Sequence, residues 1–597
     1  MPETEDNTTS LDRTAAGIAV AAVVLGVAVR IWVLSQRGSF FLDEASLALN
    51  VLGRDFVELA RPLDWGQAAP VGFLWVLRAL TLALGSAEWV LRLLPFVAGA
   101  LTPWLAWRVG RRLVGDRAAM FAAVALACSL LAIRYSAEAK PYATDALATL
   151  VLIGAAVRVR AAPSDVRGWY VLGALGVGAI VLSLPSVFVL ATVGFAIGDL
   201  GWRGGSRVRV IALASGALWL ATFGALWLLV VRESSGGAYL REYWAPVMLD
   251  VGAPDFVARA IRAVASFAAT PLSWTGSVVV AIGASAAWLV GVVVVARRDA
   301  RAAVLLAGPA LLAACASMLG VYPLSDRLAF FVAPAALIAS GAAVAWVVEW
   351  LVGGLRTGAN GGPGGADGPG GAGGARGAGG AAPRRLRAAT WLVAVAVGAW
   401  VGHDAWRMVR APGSLEPTRE LFQAVFKEAD ADAVPVYIHA RAIPAWVYAT
   451  TDWRAPDRAR LARYVVFAGH TDSPAHENLS RAGPVEPGAG DSLRIEAPDD
   501  RLRAKELVGL APGVRYRIAG PTSADAPSAG WATEEARRIS ADVARGGAWI
   551  VASHFFEGTS RDELRPLIEA VRAAGLNVVE ERRAGRDAIA LRAAPDK

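Results

Sequence analysis

Long apolar runs separated by short polar breaks fill roughly the first 410 residues, whereas from about residue 415 the apolar positions alternate in short stretches among Arg, Asp and Glu. A membrane-crossing helix needs roughly 20 apolar residues. Runs of that kind fall at 14–35, 89–110, 117–134, 142–158, 169–184, 186–201, 208–231, 271–296, 302–320, 327–352 and 388–409, which predicts about eleven spans. The first follows a polar start, residues 1–13, without a cleavage-site pattern, and is read as a retained anchor. The stretch 67–85 is read as a helix on the outer membrane surface, since counting it as a span would reverse every later loop. In the tail, alternation at 434–439, 463–468, 514–519, 548–553, 576–580 and 587–592 predicts strands, and helical periodicity appears at 416–429, 532–545 and 560–574. That order predicts a small doubly wound α/β sheet over 415–597.

Composition agrees with two media: 55% of residues are hydrophobic, 18% are charged and mean hydropathy is +0.45, against about a quarter charged in soluble domains. The net charge of +8 is accounted for by arginines between the apolar runs. They group as Arg108, Arg111, Arg112 and Arg117; Arg158, Arg160 and Arg167; Arg203, Arg207 and Arg209; Arg297, Arg298 and Arg301; and Arg356, Arg384, Arg385 and Arg387. Short positive loops stay on the cytoplasmic side, so these clusters fix topology and are not a nucleic-acid surface. With the N-terminus inside, Asp43-Glu44, 134–142, 232–270 and 322–327 fall outside, and the C-terminal domain is extracytoplasmic. Residues 353–387 form a Gly-rich cytoplasmic linker between the membrane domain 14–352 and the last span. The two cysteines, Cys128 and Cys315, lie inside apolar runs and are expected to be small core residues, not a disulfide framework.

Topology leaves a few polar residues unexplained. Asp43 and Glu44 are adjacent carboxylates directly after the apolar Phe40-Phe41-Leu42. At a membrane boundary such a pair suits a base or a metal ligand, while Asp43 also suits the first turn of a helix. The segment Arg134-Tyr135-Ser136-Ala137-Glu138-Ala139-Lys140-Pro141-Tyr142-Ala143-Thr144-Asp145 packs several ionisable groups between two spans, where charge is costly unless paired or lining an aqueous cavity. Lys140 is the only lysine before residue 400, so general basicity does not account for it. Pro141 suits the first turn of the next span, putting Tyr142 and Asp145 on one face, and Arg134 with Glu138 also has the spacing of a plain helical ion pair. In Tyr322-Pro323-Leu324-Ser325-Asp326-Arg327, Arg327 has the chemistry to hold a phosphate, or to snorkel to the interface. The outer loop with Arg232-Glu233 and Tyr239 to Trp244 mixes aromatics and charge, as a substrate mouth or an aromatic belt would. There is no Walker sequence, no His/Cys cluster with metal spacing and no nucleophile elbow.

In order and spacing, Asp43-Glu44, Asp64-Trp65-Gly66-Gln67-Ala68-Ala69-Pro70, Gly85-Ser86-Ala87-Glu88-Trp89-Val90-Leu91-Arg92-Leu93-Leu94-Pro95 and 134–142 resemble the GT-C superfamily of membrane glycosyltransferases. The likeness is to its polyprenyl-phosphate-sugar-dependent branch, which includes protein O-mannosyltransferases, the lipid A aminoarabinose transferase and lipopolysaccharide galacturonosyltransferases. It spans about residues 14–345, with Tyr322 to Pro334 similar to the late-loop Arg pattern of the group. The resemblance implies a mainly α, polytopic GT-C fold and inverting transfer of a sugar from a polyprenyl-phosphate donor to a glycan, lipid or protein acceptor on the outer face. Asp43 would then be the general base, or would organise a divalent metal ion with Glu138, with Glu44 in support. Lys140, Arg327 and Arg134 would bind the donor phosphate, and Glu138, Tyr142, Asp145 and Gln67 would support substrate or metal. Two departures stand out. Gln67-Ala68-Ala69-Pro70 replaces the His-Pro-Pro of many relatives, and Lys140 replaces an Arg, which keeps the charge but gives up a bidentate fork. A lipid-linked sugar flippase is the alternative class, because charged residues among many spans also describe carriers.

Overall fold

A computed structural model describes residues 2–63, 67–228, 244–269, 272, 278–359, 381–410, 418–431, 436–439, 442–450, 464–467, 536, 540, 547–553, 564–584 and 588–595. The expected strand 514–519, most of the expected helix 532–545, residues 64–66, loop residues 232–243 and linker residues 360–380 lie outside the described residues. The chain divides into two compact units: Met1–Leu34, Arg92–Trp227 and Tyr243–Pro412 in one, and Ser35–Leu91, Leu228–Glu242 and Gly413–Lys597 in the other.

The first unit is a helical membrane bundle. Seven of its described helices are long and apolar enough to cross a bilayer: Asp12–Gln36, Tyr142–Ala161, Ser186–Arg203, Ser206–Leu226, Val278–Ala296, Ala300–Met318 and Asp326–Leu351. An eighth is the pair Asp116–Cys128 and Leu130–Ser136 if its 59° bend is taken within one span. The other three expected spans are helical as well. Val166–Leu182 and Trp391–His403 are shorter apolar helices, and Leu93–Val114 carries Arg108, Arg111 and Arg112 near its end.

Burial sorts the helices. Asp326–Leu351 is 83% buried over its apolar window and Tyr142–Ala161 78%, whereas Ser206–Leu226 is 17% buried and Val278–Ala296 22%. In a bilayer apolar burial hardly drives helix association, so close packing of small residues must. The central helices are accordingly rich in Ala and Gly. A Cβ on Gly341 would stand 2.2 Å from the Ala118 carbonyl oxygen, so only glycine lets those backbones approach. Leu150 and Ile153 pack with Leu305, Leu306, Leu337 and Ile338 in the resulting core.

Ion pairs join the arginine clusters to one another: Arg160 to Asp299 at 2.5 Å, Arg301 to Asp199 at 2.7 Å and Arg117 to Glu349 at 2.9 Å. These clusters therefore share one end of the bundle. Cys128 and Cys315 are free thiols, and Cys315 is exposed, not a core residue, because it lies on an outward face of its helix.

The second unit combines the segment after the first span with the C-terminal domain. Its helix Val71–Leu84 has 14 residues, too few to cross a hydrocarbon core of about 30 Å. The sheet has the order β2-β1-β3-β5-β4, where β1 is Val436–His439, β2 Tyr464–Phe467, β3 Ala548–Ser553, β4 Leu576–Ala584 and β5 Ala588–Pro595. β1 runs parallel to β2 and β3, while β5 runs antiparallel to both β3 and β4. The doubly wound expectation is corrected to a mixed sheet. Only residues 585–587 separate β4 from β5, and so short a connection makes a hairpin, since a parallel return needs about a dozen residues.

Arg582 on β4 forms a two-pronged pair with Glu428 at 2.7 and 2.8 Å. Those hydrogen bonds hold the Glu428 carboxyl below the usual glutamate range. Because the folded value is depressed, the contribution is complete above pH of about 4.3 and disappears as pH falls through the folded value. The pair is largely exposed, so Glu428→Gln is expected to cost about 1 kcal/mol or less at pH 7. Urea melts of wild type and variant should converge on acidification.

Candidate active site

In the first unit the bundle end opposite the arginine clusters carries the segment 134–145. Ser129 caps the helix Leu130–Ser136 by accepting from the Ala132 N–H at 3.2 Å, and Ser136 packs against Gly99. Pro141 then caps Tyr142–Ala161, one residue outside the helix. Arg158 and Arg160 occupy the far end of that helix, about 30 Å away at 1.5 Å per residue.

The segment turns inward. Glu138 is 1% exposed, Lys140 6% and Asp145 8%. Charge desolvated to that degree is costly unless paired, and Arg134 donates from Nε to Glu138 at 2.5 Å. The helical ion pair expected from spacing is therefore present, and it is nearly dry on the Glu138 side. Tyr135 lies edge-on to Tyr142 at 5.0 Å and to Phe330 at 4.9 Å between ring centroids. It stands within electrostatic range of Arg134, Glu138, Asp326 and Arg327, so the 134–145 and 322–331 segments converge.

Arg327 is held over the Trp244 ring at 5.1 Å, a cation–π contact that aims the guanidinium without neutralising it. Asp326 accepts from the Ser266 hydroxyl at 3.0 Å, and the Tyr322 hydroxyl donates to the Leu328 carbonyl at 2.8 Å. Asp145 is buried beside Ser183, in the break between two helices. Its Oδ1 has no hydrogen-bond partner among the described residues.

The second unit holds Asp43, Glu44 and Gln67. The helix Leu42–Gly53 starts immediately before the two carboxylates, which occupy its first turn. The helix dipole stabilises negative charge there. Glu44 is 2% exposed and accepts from the Phe41 N–H at 3.4 Å, so it closes the helix start; Asp43 and Gln67 are half-buried. In the same unit Arg419 clamps Glu88 with contacts of 2.7 and 2.5 Å. Tyr448 donates to the Ser86 carbonyl at 2.8 Å and stacks near Phe40 at 4.7 Å. The motif 85–95 thus anchors the C-terminal domain to the segment carrying Asp43, a role that spacing alone did not assign.

Calcium and magnesium take oxygen ligands, and magnesium usually binds through one or two carboxylates with waters and substrate phosphates completing its shell. Among the described residues no three His, Cys, Asp or Glu side chains form a group fit to hold one. Asp43 and Glu138 belong to different compact units. Sequence reasoning missed Arg30, which is 1% exposed inside the first span; the signal was available as the one charge within an apolar run.

Residues 68–228 match the family model described as dolichyl-phosphate-mannose-protein mannosyltransferase. The fold is similar to that of ArnT from Cupriavidus metallidurans bound to undecaprenyl phosphate, at TM-score 0.50 and 13% identity, over 96% of this chain and 98% of that one. The apo state of the same protein gives TM-score 0.49 at 13% identity, over 97% and 98%. The oligosaccharyltransferase AglB from Archaeoglobus fulgidus, in complex with an inhibitory peptide and a dolichol-phosphate, gives 0.42 at 13% identity, over 73% and 63%. No curated protein matches in sequence.

Proposed function

We propose that this chain, a member of the GT-C superfamily by its fold and by the matched segment 68–228, is a membrane glycosyltransferase. It moves a sugar from a polyprenyl-phosphate donor to a glycan, lipid or protein acceptor, with inversion, on the extracytoplasmic face. The observation that carries this reading is the convergence of Arg134, Glu138 and Arg327 around Tyr135, on the segment that also bears Lys140, at the end of the bundle away from the arginine clusters. Positive-inside placement of those clusters puts the site outside, with the N-terminus in the cytoplasm, and the fuller count of about eleven spans belongs to the same reading.

In the transfer step the acceptor hydroxyl oxygen bonds to the anomeric carbon as the bond from that carbon to the phosphate oxygen breaks. The electron pair leaves on the polyprenyl phosphate, and the hydroxyl proton passes to Asp43 as base. Lys140, Arg327 and Arg134 stabilise the departing phosphate charge. Glu138 orients Arg134, and Glu44 holds the helix start under Asp43. Asp145, Tyr142 and Gln67 support the bound substrate.

Proteoliposomes given a synthetic polyprenyl-phosphate sugar and envelope acceptors are expected to form product. Translocation of the sugar lipid without transfer would reverse the reading in favour of a flippase. Lys140→Gln keeps the length but loses the charge; since a charge-assisted hydrogen bond contributes about 1.5–3 kcal/mol, it is expected to lower kcat/KM about 10- to 100-fold.

A further inference from the structure

The helices Val166–Leu182, Ser186–Arg203 and Ser206–Leu226 enclose a groove of about 320 Å³. It runs from Val187 to Gly201 along one wall, about 21 Å at 1.5 Å per residue, which is more than half of a hydrocarbon core about 30 Å thick. Gly194, Gly198, Gly201 and Gly216 line it among larger apolar residues. A Cβ on Gly194 or Gly198 would meet nothing within 4 Å. Two of its walls are membrane-spanning helices, and Ser206–Leu226 is only 17% buried, so the groove faces lipid.

One end of the groove is charged. Arg209 lines it, and the turn beside it carries Arg203 and Arg207. Arg209 is pre-set by Trp202, donating from Nε to its carbonyl at 2.9 Å and lying over its indole at 5.3 Å. Nearby Asp199 is taken by Arg301 at 2.7 Å. Among the described residues no carboxylate pairs with Arg203, Arg207 or Arg209. A slot for an acyl chain that ends at three arginines on one membrane surface matches an amphiphile with a single anionic phosphate.

We infer that this groove is a binding site for an anionic glycerophospholipid from the leaflet on the side of the 203–209 turn, with one acyl chain over Gly194 and Gly198 and the phosphate on Arg209. The proposed phosphate site at Arg209 stands apart from the transfer site, since it lies at the bundle end carrying the arginine clusters, and the groove runs from there toward Val187. Native mass spectrometry of the purified full-length chain, delipidated and titrated with dioleoyl phosphatidylglycerol or dioleoyl phosphatidylcholine, tests it. Wild type is expected to retain phosphatidylglycerol about tenfold better. The triple variant R203Q/R207Q/R209Q is expected to lose the preference. Gly198→Leu, which fills open space and leaves the charges in place, is expected to lose retention of both lipids in the groove. Equal retention of the two lipids by wild type, or unchanged retention in both variants, would overturn the inference. Displacement of phosphatidylglycerol by equimolar undecaprenyl phosphate would also overturn it and assign the groove to the sugar carrier.

Discussion

Asp43→Asn is expected to lower kcat for sugar transfer by about 10²- to 10⁴-fold, the usual range for loss of a positioned base. Asparagine has the shape of aspartate, but it loses the negative charge and the capacity to take a proton and turns one acceptor oxygen into an NH2 donor. Asp43 stands in the first turn of its helix, where a negative charge contributes about 0.3–1 kcal/mol, so the variant should fold and purify as wild type does. Donor binding should be unchanged, because the cations proposed to hold the donor phosphate, Lys140 and Arg327, belong to the other compact unit. Glu44→Gln separates the neighbouring roles. Glu44 caps the helix start through the Phe41 N–H, so its loss should lower melting temperature more than kcat. The measurement is initial transfer rate against donor concentration for both variants, with donor binding followed separately; wild-type kcat in Asp43→Asn would remove Asp43 from the role of base.

What was legible in the sequence follows from the range of the physics involved. Lys140 stood out because a lysine is rare in the membrane half, and Glu138 because a buried carboxylate between spans demands a partner; both facts are local. The convergence with Arg327 is not local, since it depends on the bundle bringing residues 134–145 and 322–331 around Tyr135. The Trp244 partner of Arg327 could not be read for the same reason. Glu88 and Arg419 lie 331 positions apart, so neither residue announces the other, even though the motif containing Glu88 was evident. In the sheet, alternation is the same for parallel and antiparallel strands, and only the short connection between β4 and β5 distinguished them. That the apolar stretch 67–85 folds as a helix of only 14 residues, Val71–Leu84, and not as a full span is a property of the segment itself.

Replacing Arg30 by leucine is expected to destabilise the bundle strongly, although it makes the first span more hydrophobic. Arg30 donates to the carbonyls of Gly26 at 2.9 Å, Leu126 at 2.9 Å and Ala127 at 3.1 Å. The last two carbonyls precede the 59° bend at Ser129. A bend deprives the preceding carbonyls of their helical N–H partners, and no water is available in hydrocarbon to replace them. The guanidinium supplies those donors in a fixed fork. Gly26 makes the approach possible, since a Cβ there would stand 2.9 Å from that of Ala127. Two buried carbonyls left unsatisfied at about 1–3 kcal/mol each, partly offset by no longer desolvating a cation, give an expected loss of about 2–4 kcal/mol. Thermal melting in detergent, followed by tryptophan fluorescence, should show the drop for Arg30→Leu and a smaller one for Arg30→Lys, which keeps charge but not the fork. The bend also sets the direction of Leu130–Ser136, and hence of Arg134 and Glu138. Activity measured well below the melting temperature should therefore fall in Arg30→Leu by more than the unfolded fraction accounts for. A variant that melts earlier yet transfers sugar at the wild-type rate per folded molecule would confine Arg30 to stability and free the site from dependence on the bend.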